Sequence, residues 1–276
     1  MSSLADLKST SPIKAIIAAQ SGLGKTGLLW SLAKAGFKLR IYDCDRGSQI
    51  LASLLKSDPA AMARVQVNVF TDKMRGTNTG FAKPDEKEKL AWVRLSDALN
   101  KWPDNPDESP QTWSTDTVAV FDSVTIMGKL ALTYAQKMNQ RSGKKPEWTD
   151  YGDAQAALQS LFALLYSDYV NCHVLYLTHV SKEHDKDGNF IGAFPSSVGK
   201  ALNEVIPRYV NNILTMKMVG MGAGAKRYLC TQPTSNQIIT KTEELNVAKE
   251  YLASSGTEPH PALAQFFADC GWEGPR

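Results

Sequence analysis

A β-prone run, a glycine-rich loop and a helix-forming run follow one another within residues 15–30, AIIAAQSGLGKTGLLW. Segments in this order form a phosphate-binding loop (P-loop), in which successive backbone N–H groups converge on phosphate oxygens. Gly22 and Gly24 allow the tight turn, Lys25 supplies a positive charge, and Thr26 supplies a hydroxyl that can bind Mg²⁺. The feature predicts an α/β fold, because the loop needs a strand before it and a helix N-terminus after it.

The whole loop is expected to contact a nucleotide. The predicted binding residues are Gln20, Ser21, Gly22, Leu23, Gly24, Lys25, Thr26 and Gly27. One position departs from the usual pattern: Ala19 stands where a P-loop normally has its first glycine. Alanine can serve there if its φ is negative, since it adds one methyl group. Ala19 therefore bears on the closure of the loop and the rate of turnover more than on binding itself.

Composition adds few constraints. The chain has 276 residues and a net charge of +3, so overall charge identifies no partner. None of its four cysteines forms a CxxC pair, which favours reduced thiols over a zinc site. No apolar run approaches the roughly 18 residues of a spanning helix, and residues 1–14 lack a signal-peptide core. We therefore expect a cytoplasmic protein that has no membrane partner.

Strand-like and helix-like segments alternate along most of the chain. This pattern predicts a doubly wound, mostly parallel sheet, and a late group of short strands predicts an antiparallel C-terminal edge. We divide the chain into a polar leader (1–11), one α/β domain (12–245) and a C-terminal helix with a tail (246–276). Residues 141–152 and 181–200 are expected to be loops, and residues 153–168 a helix.

Acidic and polar residues end several of the predicted strands. Asp122 follows the apolar run VAVF and is placed to support the metal bound by Thr26. Asp43 and Asp45 follow the strand after the P-loop helix, and Thr178 and His179 end VLYLTH. Ligands of open α/β sheets bind at the carboxyl ends of the strands, so these residues are expected to surround the phosphates.

An apolar strand that ends in Asp-Ser, here Asp122 and Ser123, is typical of the RecA-like ATPases. The ordered segments AQSGLGKT, YDCDRG, VFDSVT, WTDYGDAQ, LTHVSKE and AFPSSVGKALNEVIPRYVNNIL together resemble the phage-type ATP-binding proteins of the RecA-like AAA group, which include Sak-type single-strand annealing proteins. The resemblance spans about residues 12–245. It implies ATP and Mg²⁺ as cofactors, single-stranded DNA as a partner, and a host cytoplasm as location if the protein is phage-encoded.

The same resemblance assigns roles to individual residues. Asp45 takes the position of the acid that activates water, usually a glutamate, and Thr178 and His179 that of a γ-phosphate sensor. The 181–200 loop corresponds to a segment that lines the DNA channel, and its cations and aromatics suit single strands: Lys182, Lys186, Phe190, Phe194 and Lys200. A solvated loop remains the alternative, because Glu183, Asp185 and Asp187 offset the lysines.

RecA-like ATPases usually complete their site across a subunit interface, which implies a homo-oligomer, either a ring or a filament. Residues 200–241 carry six cations and one acid, and this basic segment contains the two candidates for a residue acting in trans, Lys241 and Arg227. Two other functions stay open. A P-loop kinase is disfavoured because the long segments are poor in arginine, whereas a nucleotide-gated binding protein with slow hydrolysis agrees with Ala19 and Asp45.

Overall fold

A nine-stranded sheet forms the centre of the computed structural model, which describes residues 11–78, 80–184, 186–233, 240–242 and 247–275. Its strands, in spatial order, are β13 (Glu258–Pro259), β12 (Glu250–Ser255), β11 (Lys226–Cys230), β10 (Asn212–Val219), β1 (Lys14–Ala18), β7 (His173–Thr178), β6 (Thr117–Asp122), β2 (Lys38–Asp43) and β3 (Val65–Val69). The six strands from β10 to β3 are parallel, and β11, β12 and β13 continue the sheet with antiparallel pairing. The predicted sheet with its antiparallel C-terminal edge is confirmed.

Within the described residues, eight α-helices and two small hairpins accompany this sheet. The helices are α1 (Trp30–Lys34), α2 (Gln49–Leu54), α3 (Pro59–Ala63), α4 (Ala91–Ala98), α5 (Val124–Met138), α6 (Trp148–Tyr166), α7 (Lys200–Val205) and α8 (Ala262–Asp269). The hairpins pair β4 (Met74–Arg75) with β5 (Lys83–Pro84), and β8 (Val180–His184) with β9 (Phe190–Pro195).

The sheet is covered on both faces, as its sequence pattern requires. Ile16 of β1 joins an apolar cluster with residues of α4, α5 and α6, while its neighbour Ile17 joins a second cluster with α1 and α8. Successive side chains of a strand point to opposite faces, so one apolar run supplies both clusters. All residues of β1, β6 and β7 are buried, which is typical of parallel strands between two helical layers.

Three expectations about secondary structure are wrong. Residues 181–200 contain the β8–β9 hairpin rather than a loop. Its two strands pair with each other, for example at Lys182 and Ala193, and this backbone pairing stabilises them although their side chains do not alternate between apolar and polar. Helix α6 begins at Trp148 and not at Asp153, because Glu147 and Asp150 form a reciprocal capping box. The third correction concerns residues 246–276, where the strand β12 precedes the predicted C-terminal helix, α8.

Two predicted regions fall largely outside the described residues. Of the leader 1–11, the structure describes only Ser11, and of the strand expected over residues 236–243 it describes 240–242. The P-loop helix is present but starts as a 3-10 turn, Thr26–Leu29, before α1 continues it. Among the described parts of the chain, no helix has the length and apolarity needed to cross a membrane.

Candidate functional site

The predicted site residues meet at one edge of the sheet because the strands that carry them are parallel. The P-loop follows β1, Asp122 ends β6, Asp43 ends β2, and Thr178 ends β7. Register pairs Asp43 with Asp122 and Ala18 with Thr178, so these strands end at the same level. We call this the carboxyl edge.

The P-loop has the backbone conformation that its glycines permit. Gly22 and Gly24 adopt φ values of 81° and 90°, in the left-handed region that glycine enters without strain. Ala19 is not among the non-glycine residues with positive φ; it is 1% exposed and packs in the apolar cluster beside α1. The missing first glycine therefore imposes no backbone strain.

Lys25 turns its ammonium back across the loop. Its Nζ donates to the carbonyl oxygens of Ala19 (3.1 Å) and Gln20 (3.3 Å) and lies 3.4 Å from Nδ1 of His179. Burial lowers the pKa of Lys25, while Asp122 and Asp45 act in the opposite direction. The structure thus brings Lys25 and His179 together. The pKa of His179 is also lowered, first by burial and then by the charge of Lys25.

The Thr26 hydroxyl donates to Oδ2 of Asp122 over 2.6 Å. Asp122 is 1% exposed, and its pKa is raised to about 7, first by burial and then by the nearby charge of Asp45. A buried carboxylate beside like charges favours a bound cation, which replaces the proton. The donor set therefore fits Mg²⁺. No cluster of three His, Cys, Asp or Glu side chains suited to a metal occurs in the described ranges, so phosphate oxygens and water would complete the shell.

The two acids after β2 have different positions. Asp43 is 2% exposed, and its carboxylate accepts from the amides of Asp45, Arg46, Gly47 and Ser48, so it shapes the following turn. Asp45 is exposed and accepts from the Gly47 amide over 3.1 Å. The structure thus separates a turn-forming Asp43 from an Asp45 that faces the P-loop.

Sequence reasoning missed Gly47. The position that a Cβ atom on Gly47 would occupy lies 2.9 Å from Asp45 Oδ1, 3.3 Å from Thr26 Oγ1 and 3.5 Å from Asp122 Oδ2. Three oxygen atoms of the predicted metal and water site therefore lie close to the side of the Gly47 Cα that carries only a hydrogen atom. The only signal in the sequence is the glycine that directly follows YDCDR.

Thr178 and His179 differ although they are adjacent. The Thr178 side chain is buried, and its hydroxyl donates to the carbonyl of Ser196 over 2.7 Å. The hydroxyl oxygens of Thr178 and Thr125 lie 3.2 Å apart. The Thr125 hydroxyl also accepts from the His179 amide, which ties β7 to α5 and to the segment after β9. Thr178 holds the carboxyl edge together, while the His179 ring reaches the P-loop lysine.

The two cations proposed to act in trans also lie apart. Lys241 pairs with Ile213 near the amino end of β10, and its Nζ donates to the Val210 carbonyl, away from the carboxyl edge of its own chain. Arg227 lies against the P-loop of the same chain: its Cδ is 3.9 Å from the Cβ position of Gly24. Sequence reasoning did not anticipate this contact.

A pocket of about 490 Å³ adjoins the P-loop on the side of β11 and β12. Its lining combines loop glycines, apolar side chains and a few polar groups: Gly22, Leu23, Gly24, Gly27, Leu28, Trp30, Ile50, Leu54, Met216, Gly222, Ala223, Arg227, Ala253, Ser254, Gly256, Thr257 and Pro259. A ligand whose phosphates contact the P-loop could extend its remaining part into this pocket.

The residues expected to bind DNA lie on or beside the β8–β9 hairpin, which leaves the carboxyl edge directly after β7. Lys182 and Lys186 are exposed, and Phe194 is half-buried. Phe190 begins β9, and Lys200 begins α7. The hairpin thus begins at Val180, two residues after Thr178 ends β7 at the carboxyl edge.

A second surface with an exposed aromatic lies at the start of α6. Trp148 is 92% exposed and shares a pocket of about 450 Å³ with Arg141, Lys145, Pro146 and Tyr151. Sequence reasoning assigned no role to this surface. A lone tryptophan in a polar loop gives little signal before its exposure is known.

The mostly parallel sheet and the glycine loop with Lys25 after β1 define an α/β domain with a P-loop, which implies nucleotide binding. The model of a family described as an AAA domain matches residues 11–249, and the chain belongs to this family. No curated protein matches the chain.

The solved structures that are similar to this chain include the following three. A KaiC-like protein from the archaeon Pyrococcus horikoshii is 11% identical, with 90% of this chain and 87% of that chain covered and a TM-score of 0.46. The RadB recombinase is 13% identical, with 80% of each chain covered and a TM-score of 0.43. The flagellar accessory protein FlaH from Methanocaldococcus jannaschii is 11% identical, with 91% and 90% covered and a TM-score of 0.45.

Proposed function

We propose that the protein is a Mg²⁺-dependent ATPase of phage type, active in the cytoplasm, that couples ATP binding and hydrolysis to single-stranded DNA in recombination or replication. The observation that carries the ATPase half is the convergence of Asp45, Thr26 and Asp122 around Gly47, next to the P-loop lysine. A metal-binding hydroxyl, its supporting acid and a second acid then lie within reach of one phosphate group.

Each residue then has a defined task. Lys25 exchanges its bonds to the Ala19 and Gln20 carbonyls for phosphate oxygens, and the P-loop amides surround the same group. Thr26 and Asp122 would hold Mg²⁺, which would neutralise phosphate charge. Asp45 orients and deprotonates the attacking water, and His179 donates a hydrogen bond near the γ-phosphate.

The DNA half of the proposal rests on the β8–β9 hairpin and on the family resemblance. Exposed Lys182 and Lys186 can neutralise phosphates, and half-buried Phe194, which pairs with Ser181 in the same hairpin, offers a ring for stacking. Trp148, with Lys145 beside it, offers a second platform of the same chemistry. Because the hairpin follows β7, DNA bound there would act on His179 and Thr178 through one continuous segment.

Assembly into a homo-oligomer is the third part of the proposal. Lys241 lies at the end of β10 opposite the site of its own chain, so a role at an ATP site requires a neighbouring subunit. A ring and a filament both provide such a neighbour.

One observation favours a second function, a nucleotide-gated binding protein with slow hydrolysis. Asp45 is one methylene shorter than the glutamate usual in RecA-like ATPases, and its Oδ1 accepts a hydrogen bond from the Gly47 amide. A short acid engaged in this way would contact the attacking water less closely.

ATP turnover with and without single-stranded DNA separates these functions. We expect wild-type turnover to rise with DNA, and Lys25→Ala to remove it. Asp45→Asn is expected to bind ATP and lose hydrolysis. Nucleotide binding without turnover under any condition would instead support the gated binding protein, and turnover that survives Asp45→Asn would remove Asp45 from its role.

The salt dependence of binding tests the DNA half. Lys182→Ala with Lys186→Ala should weaken binding of a single strand, and the salt slope should decrease by about 0.7 for each phosphate that a lysine no longer neutralises. Lys101→Ala, which removes an exposed lysine near the end of α4, is the matched control. An unchanged slope in the double variant, with weaker binding in Trp148→Ala, would move the DNA site to the start of α6.

A further inference from the structure

Arg227 lies where a local irregularity of β11 turns its side chain toward the P-loop. The pairing of β11 with β12 shifts register between Arg227 and Tyr228, and such bulges re-aim side chains. The Arg227 Cδ packs 3.9 Å from the Cβ position of Gly24, so the stem lies on the P-loop of its own chain.

The guanidinium is only partly satisfied by protein groups. Its Nη1 donates to the Ser254 hydroxyl over 3.2 Å and to the Gly256 carbonyl over 3.5 Å. Its Nε is buried and has no hydrogen-bond partner among the described residues. A charged donor group that protein partners satisfy only in part can bond an acceptor on a ligand beside the P-loop.

The pocket next to Arg227 is suited to the sugar and base of a nucleotide. Leu23, Trp30, Met216 and Pro259 give it apolar walls, and no acidic side chain is found in its described lining. Gly256 and Ala223 pack closely at its rim, where a Cβ on Gly256 would clash with the Ala223 carbonyl oxygen.

The pocket and the hydrolytic residues lie on different sides of the loop. Gly22, Gly24 and Gly27 line the pocket, whereas Asp45, Asp122 and His179 do not. A residue in this pocket would therefore meet the part of a nucleotide that ATP and ADP share. A residue that completes a neighbour's site would instead sense the γ-phosphate.

We infer that Arg227 acts in cis, as a binding residue for the nucleotide held by its own P-loop, and not as a residue acting on a neighbouring subunit. The inference rests on the proposed nucleotide site. The guanidinium donates to the part of the nucleotide common to ATP and ADP, while Ser254 and Gly256 accept from Nη1 and orient its plane.

Calorimetric titration with ADP and with a non-hydrolysable ATP analogue tests this role. Arg227→Ala is expected to weaken both affinities about 10- to 100-fold, because it removes a charge-assisted hydrogen bond. Arg227→Lys should restore part of the affinity, because the stem over Gly24 remains. Lys226→Ala, which removes the exposed cation one position earlier, should leave both affinities unchanged.

Equal ADP affinity in Arg227→Ala and wild type, with turnover alone reduced, would overturn the inference in favour of a role in trans. If wild type binds neither nucleotide, the proposed function itself fails, which is a distinguishable outcome. Arg227→Gln provides the same comparison if the alanine variant does not fold.

Mixing two variants gives an independent result. In a mixture of Arg227→Ala and Lys25→Ala subunits, a residue acting in trans would restore turnover at those interfaces that combine an intact P-loop with an intact Arg227. Action in cis predicts no recovery above the two variants measured alone. Recovered turnover would therefore refute the inference.

Discussion

Replacing Gly47 with alanine tests the site geometry at a residue that has no side chain of its own. The new methyl carbon would lie 2.9 Å from Asp45 Oδ1, where ordinary contact begins at 3.4 Å. Asp45 must therefore move by about half an ångström, and a displacement of about 1 Å of a catalytic group can cost about 100-fold in rate. The contacts to Thr26 Oγ1 and Asp122 Oδ2 are also tight, so we expect ATP turnover to fall about 10- to 100-fold.

Folding should be nearly unaffected by this change. Gly47 is not among the glycines with positive φ, and the closest atom belongs to the exposed, rotatable side chain of Asp45. The expected change in the free energy of unfolding is within about 1 kcal/mol. Steady-state ATP turnover and thermal unfolding, measured on the same preparation, separate the two effects.

Gly152→Ala is the matched control because it adds the same methyl where nothing lies within 4 Å, on an exposed turn of α6. It should keep full turnover and stabilise the protein by about 0.5–1 kcal/mol, since alanine is the better helix former. Wild-type turnover in folded Gly47→Ala would refute the placement of the metal and water site.

Three more outcomes follow from individual contacts. Burial and the charge of Asp45 raise the pKa of Asp122 to about 7, above its unfolded value near 4, so the metal-free protein loses stability as pH rises through this range. Asp122→Asn should remove this loss. In urea unfolding, its free energy of unfolding should exceed that of wild type by up to about 4 kcal/mol at pH 8, but not at pH 4. An alanine at Gly274 would place its Cβ 1.6 Å from the Ala35 carbonyl oxygen, so Gly274→Ala should destabilise the protein by about 1–3 kcal/mol in thermal unfolding, whereas Gly76→Ala, which meets nothing within 4 Å, should not. His179→Ala should lower turnover and leave ADP affinity unchanged, because its ring faces Lys25 rather than the pocket beside β11; an equal reduction of ADP affinity would contradict that position.

The parts of the fold that follow from local sequence could be predicted. The P-loop is one continuous segment, and Asp122 ends an apolar run, so strand direction alone brings them to the same edge. The β8–β9 hairpin was missed because its strands are stabilised by pairing with each other and not by an alternating apolar face.

The finer features of the site depend on distances between separate loops. Gly47 matters because a turn shaped by Asp43 carries it up to Thr26 and Asp122, which lie on two other segments. The position of Arg227 depends on the register shift between β11 and β12. The sequence of β11 shows only two adjacent cations at the start of a strand, so it does not tell whether Arg227 contacts the P-loop of its own chain or that of a neighbour.

Equilibrium binding of Mg·ATP to wild type and to folded Lys25→Ala is the most direct test of the central claim, that the P-loop holds a nucleotide. Lys25 Nζ now contacts only carbonyl oxygens of the loop and the His179 ring among the described residues, and would contact phosphate oxygens in the complex. We predict saturable binding at one site per chain, weakened at least tenfold by the substitution. Equal affinity in the two proteins, or no binding to wild type, would contradict the account.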